Sequence, residues 1–230
     1  MGKSRGERVN GVLLLDKPGG MTSNAALQAV RRLLNAAKAG HTGTLDPMAT
    51  GLLPLTFGEA TKFSADLLNA DKSYRATLQL GVTTRTGDAD GDVIDRCDAA
   101  VSSAQLDATL SRFIGTVAQV PPMHSALKRD GQPLYKLARE GTEVERAPRQ
   151  IAVHQMKLVE RCGDAVVVDV DCSKGTYVRV LAEDIGRALG CGAHLTALRR
   201  TRAGRLSVDD AVALSALEAM SLELRRARLL

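Results

Sequence analysis

Residues 11–33 read GVLLLDKPGGMTSNAALQAVRRL, and this stretch predicts the first strand, turn and helix of the chain. Its leading residues, GVLLLD, form a short apolar run of the kind found in buried strands. The proline and glycines that follow predict a turn. Beyond the turn, apolar residues at helical spacing predict a helix from Ser23 to about Lys38, capped by Ser23 or Thr22 and ended by Gly40.

The rest of the chain mixes strand and helix patterns. Strands are predicted near 52–57, 74–80, 151–159 and 165–172, helices near 102–115, 134–140 and 177–189, a strand and turn at 194–207, and a short helix after Ser207. Ser102 and Gln105 have the spacing of a capping box. Because the order lacks the regular βαβα alternation of a doubly wound sheet, the sequence favours the α+β class.

The composition narrows the possible classes of function. The chain has 31 Lys and Arg against 26 Asp and Glu, and the resulting charge of +5 is compatible with a polyanionic partner. Three Phe, three Tyr and no Trp argue against a platform that stacks successive bases. No apolar run is long enough to span a membrane, and the polar start MGKSRGERVN lacks the apolar core of a secretory signal.

The cysteine and histidine residues predict neither a metal site nor disulfide bonds. None of the four Cys is spaced as C-x-x-C, so we expect free thiols in a reducing cytoplasm. The four His are far apart and lack the spacing of a zinc enzyme. The segment DADGD at 88–92 lacks the glycine and glutamate positions of a calcium loop and is interpreted as a hairpin turn with solvated carboxylates.

The segment GHTGTLDPMATG at 40–51 holds one carboxylate among small, neutral residues. Pro47 disfavours helical geometry at Asp46, so we expect Asp46 to project from a stiff loop. A buried carboxylate is costly unless a cation meets it, and Arg179 in GTYVRV is a candidate for a bidentate partner. An Asx turn before a strand is the alternative interpretation of this segment.

Six ordered blocks of the chain resemble the TruB family of tRNA pseudouridine-55 synthases, over nearly all of residues 10–215. The blocks are GVLLLDKPGGMTS (11–23), GHTGTLDPMATGLLPL (40–55), KSYRATLQLG (72–81), TGDADG (86–91), VPPMHSALKRDGQPLYKLAREG (120–141) and SKGTYVRVLAEDIGRALGCGAHLTALRRTRAG (173–204). The resemblance implies an α+β pseudouridine synthase catalytic fold, with a mixed, largely antiparallel central sheet flanked by helices. It also implies that residues 119–150 form a mobile, thumb-like insertion that binds RNA.

The resemblance further implies an enzyme that isomerises uridine 55 to pseudouridine in the TΨC loop of tRNAs. The base is flipped out of the RNA, detached from C1′ of its ribose, rotated and rejoined through C5. Such an enzyme needs no cofactor or metal, is cytoplasmic and monomeric, and requires neither a guide RNA nor a protein partner. Two alternatives stay open: an RNA chaperone that refolds tRNA, and a guide-RNA-dependent ribonucleoprotein subunit.

Three catalytic residues are implied by the resemblance. Asp46 matches the family's catalytic aspartate, and Arg179 matches the arginine that pairs with it. Tyr74 matches the tyrosine that stacks on the target base and moves a proton at C5. Three roles of Asp46 remain open: attack on C1′, attack on C6 of the ring, and removal of a proton from C2′.

Other positions match substrate-binding residues of the family. They are His41, which fills the space left by the flipped base, Tyr177 as a second active-site tyrosine, Leu198 lining the uracil pocket, Lys17 and Pro18 beside the site, and Asp88 as a polar contact. For two of them a structural role is the alternative. His41 is then a local hydrogen-bonding residue of its loop, and Asp88 is part of a turn.

Phosphate contacts are expected from two groups of basic residues. They are Arg199, Arg200, Arg202 and Arg205 in LRRTRAGR, and Lys128, Arg129, Lys136 and Arg139 in the insertion. For each of them a solvated surface charge is the alternative. The expected organisation is a basic leader at 1–10, a catalytic domain at 11–221, and a tail at 222–230 without a complete PUA-type RNA-binding domain.

Overall fold

The computed structural model describes residues 6–129 and 131–230, apart from the side chain of Arg139. Residues 1–5 of the expected leader and the Arg139 side chain therefore lie outside the described residues. The elements in chain order are β1 (Gly11–Lys17), α1 (Ser23–Leu33), β2 (Ala39–His41), β3 (Thr50–Phe57), a 3₁₀ helix (Gly58–Phe63), α2 (Ser64–Asn69), β4 (Lys72–Leu80), β5 (Val82–Thr84), β6 (Val93–Arg96), α3 (Ser103–Arg112), β7 (Gly115–Gln119), β8 (Lys128–Arg129), β9 (Gln132–Pro133), α4 (Leu134–Arg139), β10 (Arg149–Cys162), β11 (Ala165–Cys172), α5 (Val178–Leu189), β12 (Ala193–Ala203), β13 (Leu206–Ser207), a second 3₁₀ helix (Val208–Asp210), β14 (Val212–Ala213), α6 (Leu214–Ala219) and α7 (Leu222–Arg226).

Strand pairing confirms the α+β class with a mixed, largely antiparallel sheet. Among the described pairings, β1 with β14 and β3 with β12 are parallel. The pairings of β1 with β3, β10 with β11 and β7 with β10 are antiparallel. Within the described part of the chain, no helix combines the length and the apolar character needed to cross a lipid bilayer.

The chain divides into two compact units, with boundaries inside β4 and inside β12. The first unit holds residues 6–74 and Leu198–Leu230, and the second holds Arg75–Ala197. In the first unit the strand order is β14-β1-β3-β12, with β2 beside β3 and β13 beside β12. In the second unit the order is β12-β4-β11-β10-β7, and β5–β6 and β8–β9 form separate two-stranded sheets.

Helix α1 begins as predicted and ends earlier than predicted. Thr22, rather than Ser23, is its cap, since the Thr22 hydroxyl accepts a backbone N–H of the first turn at 3.1 Å. The helix ends at Leu33 instead of Lys38. Asn35 adopts a left-handed conformation with φ of 51°, which cannot continue a helix. The predicted end at Gly40 is also wrong, because that residue lies in strand β2.

Both ends of the described chain are bonded to the first unit. The backbone N–H of Glu7 donates to Asn35 at 2.7 Å, and its carbonyl accepts from Ala37 at 2.9 Å. The segment expected as a tail contains α7, and Leu230 exchanges two backbone hydrogen bonds with Val12 at 3.1 and 2.9 Å. The described leader residues and the tail therefore extend the hydrogen bonding of this unit.

The second unit follows the sequence patterns closely. Val166, Val168 and Val170 are buried on one face of β11, as their alternation predicts. Helix α3 has the predicted capping box, and it contacts α5 and β10. Helix α5 ends at Gly190, whose φ of 80° suits a glycine C-cap. In the insertion, the short helix predicted near 134–140 is α4, preceded by the small hairpin of β8 and β9.

Substitution of Gly51 tests how closely β3 approaches β12. Gly51 has a φ of +97°, and a Cβ placed on it would lie 2.3 Å from the backbone oxygen of Arg200. We expect Gly51→Ala to lower the free energy of unfolding by about 3 kcal/mol or more, because the left-handed φ and the overlap with backbone each cost on the order of 1–3 kcal/mol. Urea denaturation followed by circular dichroism measures the change.

Gly163→Ala is the matched control for the backbone conformation. Gly163 has a φ of +58° but nothing within 4 Å of the added carbon. Gly163→Ala should therefore lower the free energy of unfolding by only about 1 kcal/mol. Equal losses for the two variants would contradict the close approach at Gly51.

Candidate functional site

Asp46 is half-buried in an irregular loop between β2 and β3, residues 42–49, called the Asp46 loop below. Its carbonyl oxygen accepts the backbone N–H of Ala49 at 3.1 Å, which closes a turn. Ser23, at the start of α1, fixes the preceding residue. Its hydroxyl accepts from the Leu45 N–H at 2.8 Å and donates to the Leu45 carbonyl at 3.0 Å. The sequence analysis assigned Ser23 only to helix capping and missed this contact.

Lys17 ties the Asp46 loop to the turn that follows β1. Its side chain is fully buried, and its ammonium donates to the carbonyl oxygens of Pro18 at 2.7 Å, Met21 at 2.6 Å and Pro47 at 3.3 Å. Burial lowers the pKa of Lys17 to about 8, while attraction to the Asp46 carboxylate acts in the opposite direction. Lys17 thus holds the residue after Asp46 and supplies positive charge to that part of the loop.

Arg200 holds the other end of the Asp46 loop. Its side chain is 1% exposed, and Nε donates to the Leu52 carbonyl at 2.7 Å while Nη2 donates to the Gly43 carbonyl at 3.1 Å. The parallel pairing of β3 and β12 places Arg200 opposite Gly51, a position that only a glycine fits. Two buried cations therefore bind the loop, one at each end.

His41 precedes the Asp46 loop, at the end of β2. Its Nδ1 is buried and has no hydrogen-bond partner within the described residues. Burial, followed by the positive charge of Arg200, lowers the pKa of His41 below its ordinary value of 6.5. The ring is therefore neutral at pH 7, and one of its nitrogens has an open hydrogen-bonding position.

Arg179 lies in the second unit, in the first turn of α5, and is 4% exposed. Its Nε is 3.5 Å from the Asp88 carboxylate. Its Nη1 donates to the Thr86 carbonyl at 3.0 Å and its Nη2 to the His124 carbonyl at 2.7 Å. The guanidinium thus joins α5, the 84–92 turn and the insertion. The expected pairing of Arg179 with Asp46 stays a prediction, since the two residues belong to different units.

Asp88 is held from three sides within its turn. The Thr86 hydroxyl and the Asp90 N–H, the latter at 3.2 Å, donate to its carboxylate, and the Thr84 hydroxyl donates to its carbonyl at 2.7 Å. The interpretation of this turn as a set of solvated carboxylates is wrong for Asp88, which is 5% exposed. In place of water, the buried Arg179 on α5 provides the positive charge that faces the Asp88 carboxylate.

Tyr177 is fixed by a residue that the sequence analysis missed. Its N–H donates to the Gln119 side-chain oxygen at 2.8 Å, and its carbonyl accepts from the Gln119 amide at 3.1 Å. Gln119 is 1% exposed, and a lone glutamine before a proline pair carries no sequence signal for this role. Tyr74 lies half-buried in β4, and Leu198 is buried, with its carbonyl accepting from the Thr50 hydroxyl at 3.5 Å.

The basic residues of LRRTRAGR have different environments. Arg199 binds the Asp16 carboxylate through two nitrogens at 2.9 and 2.8 Å, whereas Arg202 and Arg205 are exposed. Arg200 was expected to contact phosphate, and its burial corrects this expectation. Successive residues of a strand point to opposite faces, so β12 exposes part of Arg199 and buries Arg200.

A pocket of about 380 Å³ opens beside the turn that follows β1. Pro18, which is exposed, and the Asp16–Arg199 pair line it, together with Glu218 on α6. In the insertion, Lys128, Arg129 and Lys136 are exposed, and Arg129 also donates to a backbone carbonyl of the same insertion at 2.7 Å. Exposed cations therefore exist in both expected groups.

Family comparison divides the chain into two matched parts. Residues 31–178 match the TruB family pseudouridylate synthase N-terminal domain, and residues 179–229 match the tRNA pseudouridylate synthase B C-terminal domain. A tRNA pseudouridine synthase B of Aromatoleum aromaticum is 63% identical over 217 residues, which are 94% of this chain and 70% of that protein. A protein of the same name from Dechloromonas aromatica is 59% identical over 97% of this chain and 75% of its own length.

Solved structures share the fold over almost the whole chain. A crystal structure of a Cbf5–Nop10–Gar1 complex matches with a TM-score of 0.72 at 32% identity, over 94% of this chain and 59% of that one. The archaeal box H/ACA sRNP Nop10–Cbf5 complex matches with a TM-score of 0.70 at 29% identity, over 99% of this chain and 65% of that one. This chain spans about three fifths of the length of those two. With both family domains matched and about 60% identity to the bacterial enzymes, the chain belongs to the TruB family of pseudouridylate synthases.

Proposed function

We propose that this chain isomerises uridine 55 of tRNA to pseudouridine, with Asp46 as the catalytic carboxylate. The observation that carries the proposal is the Asp46 loop, an irregular segment held by Lys17, Ser23 and Arg200 in a member of a pseudouridylate synthase family. A carboxylate that attacks a sugar or a base must be placed within a few tenths of an ångström. A loop fixed at both ends and in the middle provides that placement before the substrate arrives.

In the proposed reaction the uracil is flipped, detached from C1′, rotated and rejoined through C5. Asp46 acts by attack on C1′, by attack on C6 of the ring, or by removing a proton from C2′. Tyr74 stacks on the flipped base and moves the proton at C5, and Tyr177 and Leu198 line the pocket. Arg179 is oriented by Asp88 and by two backbone carbonyls, so its guanidinium is preorganised for an anionic partner.

His41 is proposed to occupy the space that the flipped base leaves in the RNA. Its ring is flat and neutral at pH 7, so it can stack in that space. Lys17 supports the reaction by holding the Asp46 loop, and Pro18 forms part of the turn that carries the Lys17 contacts.

The proposed substrate is the TΨC stem-loop of tRNA, which would place the enzyme in the cytoplasm. The exposed cations Arg202, Arg205, Lys128, Arg129 and Lys136 are proposed to contact phosphates, with residues 119–150 closing on the RNA. The chain is proposed to act as a monomer, without a guide RNA, protein partner or cofactor.

Replacement of the catalytic carboxylate tests the reaction directly. Asp46→Asn keeps the shape of the side chain but removes the charge that attacks or deprotonates. We expect no release of tritium from tRNA labelled at C5 of uridine, a loss of about 10⁴-fold or more. Binding of the stem-loop should survive, because affinity comes mainly from phosphate contacts. Equal tritium release by the unsubstituted chain and by Asp46→Asn would refute the catalytic role of Asp46.

The buried ion pair of Arg179 and Asp88 in the second unit gives a separate prediction. Asp88→Asn keeps the hydrogen-bonding shape of the turn but removes the charge that faces Arg179. We expect kcat to fall roughly 100-fold, because a misplaced catalytic group costs about that much, while KM changes little. Asp90→Asn is the control, since Asp90 is exposed and donates to Asp88 through its backbone N–H, which the substitution keeps. A similar loss in both variants would contradict the orienting role of Asp88.

The exposed cations of the insertion predict a change in salt dependence. If Lys128 and Arg129 each neutralise a phosphate, the double variant Lys128→Ala/Arg129→Ala should reduce the slope of log affinity against log salt by about 1.5. Stem-loop binding measured between low and physiological salt gives the slope. Lys157→Ala is the control, since Lys157 is exposed on β10, outside both expected groups. An unchanged slope in the double variant would exclude these two residues as phosphate contacts.

A further inference from the structure

Ser125 is a buried residue of the insertion whose side-chain hydroxyl lacks a hydrogen-bond partner among the described residues. It is 6% exposed. Its backbone, by contrast, is satisfied. Its N–H donates to the Met123 carbonyl at 2.9 Å, and its carbonyl accepts from the Tyr135 N–H at 3.1 Å. A buried hydroxyl without a partner destabilises the fold, so its presence requires an explanation other than stability.

Ser125 follows a residue that binds Arg179, a candidate catalytic residue of the second unit. The carbonyl of the preceding residue, His124, accepts a hydrogen bond from Arg179 at 2.7 Å. The backbone of Ser125 is therefore fixed on one side by that guanidinium and on the other by its bond to Tyr135 near the start of α4. The hydroxyl is thus held in a defined place without being used by the fold.

Three cations are connected to Ser125 through the chain or through one contact. Arg179 binds the carbonyl of the preceding residue and also faces Asp88, and the exposed Lys128 and Arg129 follow in the same segment. A buried serine hydroxyl near these cations can donate a hydrogen bond to an acceptor oxygen. The negatively charged oxygens of an RNA backbone are acceptors that also suit the nearby positive charge.

We propose that Ser125 is a substrate-binding residue whose hydroxyl donates to an acceptor oxygen of the RNA sugar–phosphate backbone. This inference rests on the proposed function, since it takes RNA as the ligand of the insertion. Because the hydroxyl is enclosed in the free protein, the substrate supplies its missing partner only when the insertion rearranges as it binds RNA. The free protein therefore carries a destabilising group that becomes satisfied when RNA binds.

The test compares stability and RNA binding in Ser125→Ala. Removing an unpartnered buried hydroxyl should leave Tm unchanged or raise it. The Kd and KM for the uridine-55 stem-loop should rise roughly tenfold, with kcat little changed, because one hydrogen bond to the RNA is lost. Ser111→Ala is the matched control. The Ser111 hydroxyl is exposed and donates to a carbonyl of its own helix α3, so no binding change is expected.

An unchanged Kd in Ser125→Ala overturns the proposal, and a lower Tm together with an unchanged Kd assigns the hydroxyl to the fold. If the substitution changes both Tm and Kd, stem-loops with single methylphosphonate or 2′-deoxy substitutions decide by double-mutant cycles. Non-additivity at one nucleotide supports the contact and identifies a phosphate or a 2′-hydroxyl as the acceptor. Additivity at every nucleotide overturns it.

The same measurements separate this inference from the proposed function. If the unsubstituted chain releases no tritium from uridine 55, the proposed function fails. The Kd of the stem-loop still decides whether Ser125 contacts RNA.

Discussion

The Asp46 loop depends on two buried cations that bind backbone carbonyls. Lys17 holds it at Pro47 and Arg200 holds it at Gly43. An irregular loop lacks the regular donors of a strand or helix, so its carbonyls are satisfied individually. The Pro47 carbonyl accepts from the Gly20 N–H at 2.8 Å as well as from Lys17, and the Gly43 carbonyl accepts from Arg200. A long side chain that carries several N–H donors can satisfy carbonyls from different segments at once. The shape of the loop therefore follows from residues that lie outside it.

Burial of these cations has an energetic consequence that is visible at Lys17. Its pKa falls from 10.5 to about 8, because the charged form is desolvated more than the carbonyls and the Asp46 carboxylate compensate. The unfolded chain thus binds the proton more tightly than the folded chain. On this group alone, the free energy of unfolding rises as the pH increases from about 8 towards 10.5. The fold accepts a charged lysine at neutral pH although the neutral amine would be easier to bury.

The sequence predicted best those elements whose causes are local. The capping box of α3, the alternation in β11 and the glycine end of α5 each depend on residues within one or two turns. The contacts that fix the candidate site connect distant residues instead. Ser23 binds Leu45, and Arg200 binds Gly43 from a strand 157 residues later. No periodicity encodes such pairings, and the family resemblance located Asp46 without showing what holds it.

The basic segment LRRTRAGR shows a second limit of sequence reasoning. As letters it is a cluster of four arginines, and the cluster predicted a phosphate-binding surface. As strand β12 its residues alternate between two faces, so adjacent arginines have opposite environments. Arg199 meets Asp16 at the edge of a pocket, while Arg200 supports a loop from inside the first unit. The secondary structure had to be known before the charges could be assigned to a surface.

Arg179, like Lys17 and Arg200, is a buried cation that donates to backbone carbonyls. Unlike them, it binds the segment that is proposed to contact RNA. Its two terminal nitrogens bind carbonyls of the 84–92 turn and of the insertion, and its Nε faces Asp88. A planar guanidinium cannot reorient one of these contacts without disturbing the others. The His124 carbonyl is therefore one of the contacts that fix the position of Arg179, and it belongs to the insertion. Within the second unit, the segment proposed to bind RNA and the arginine proposed to serve catalysis are joined by a direct hydrogen bond.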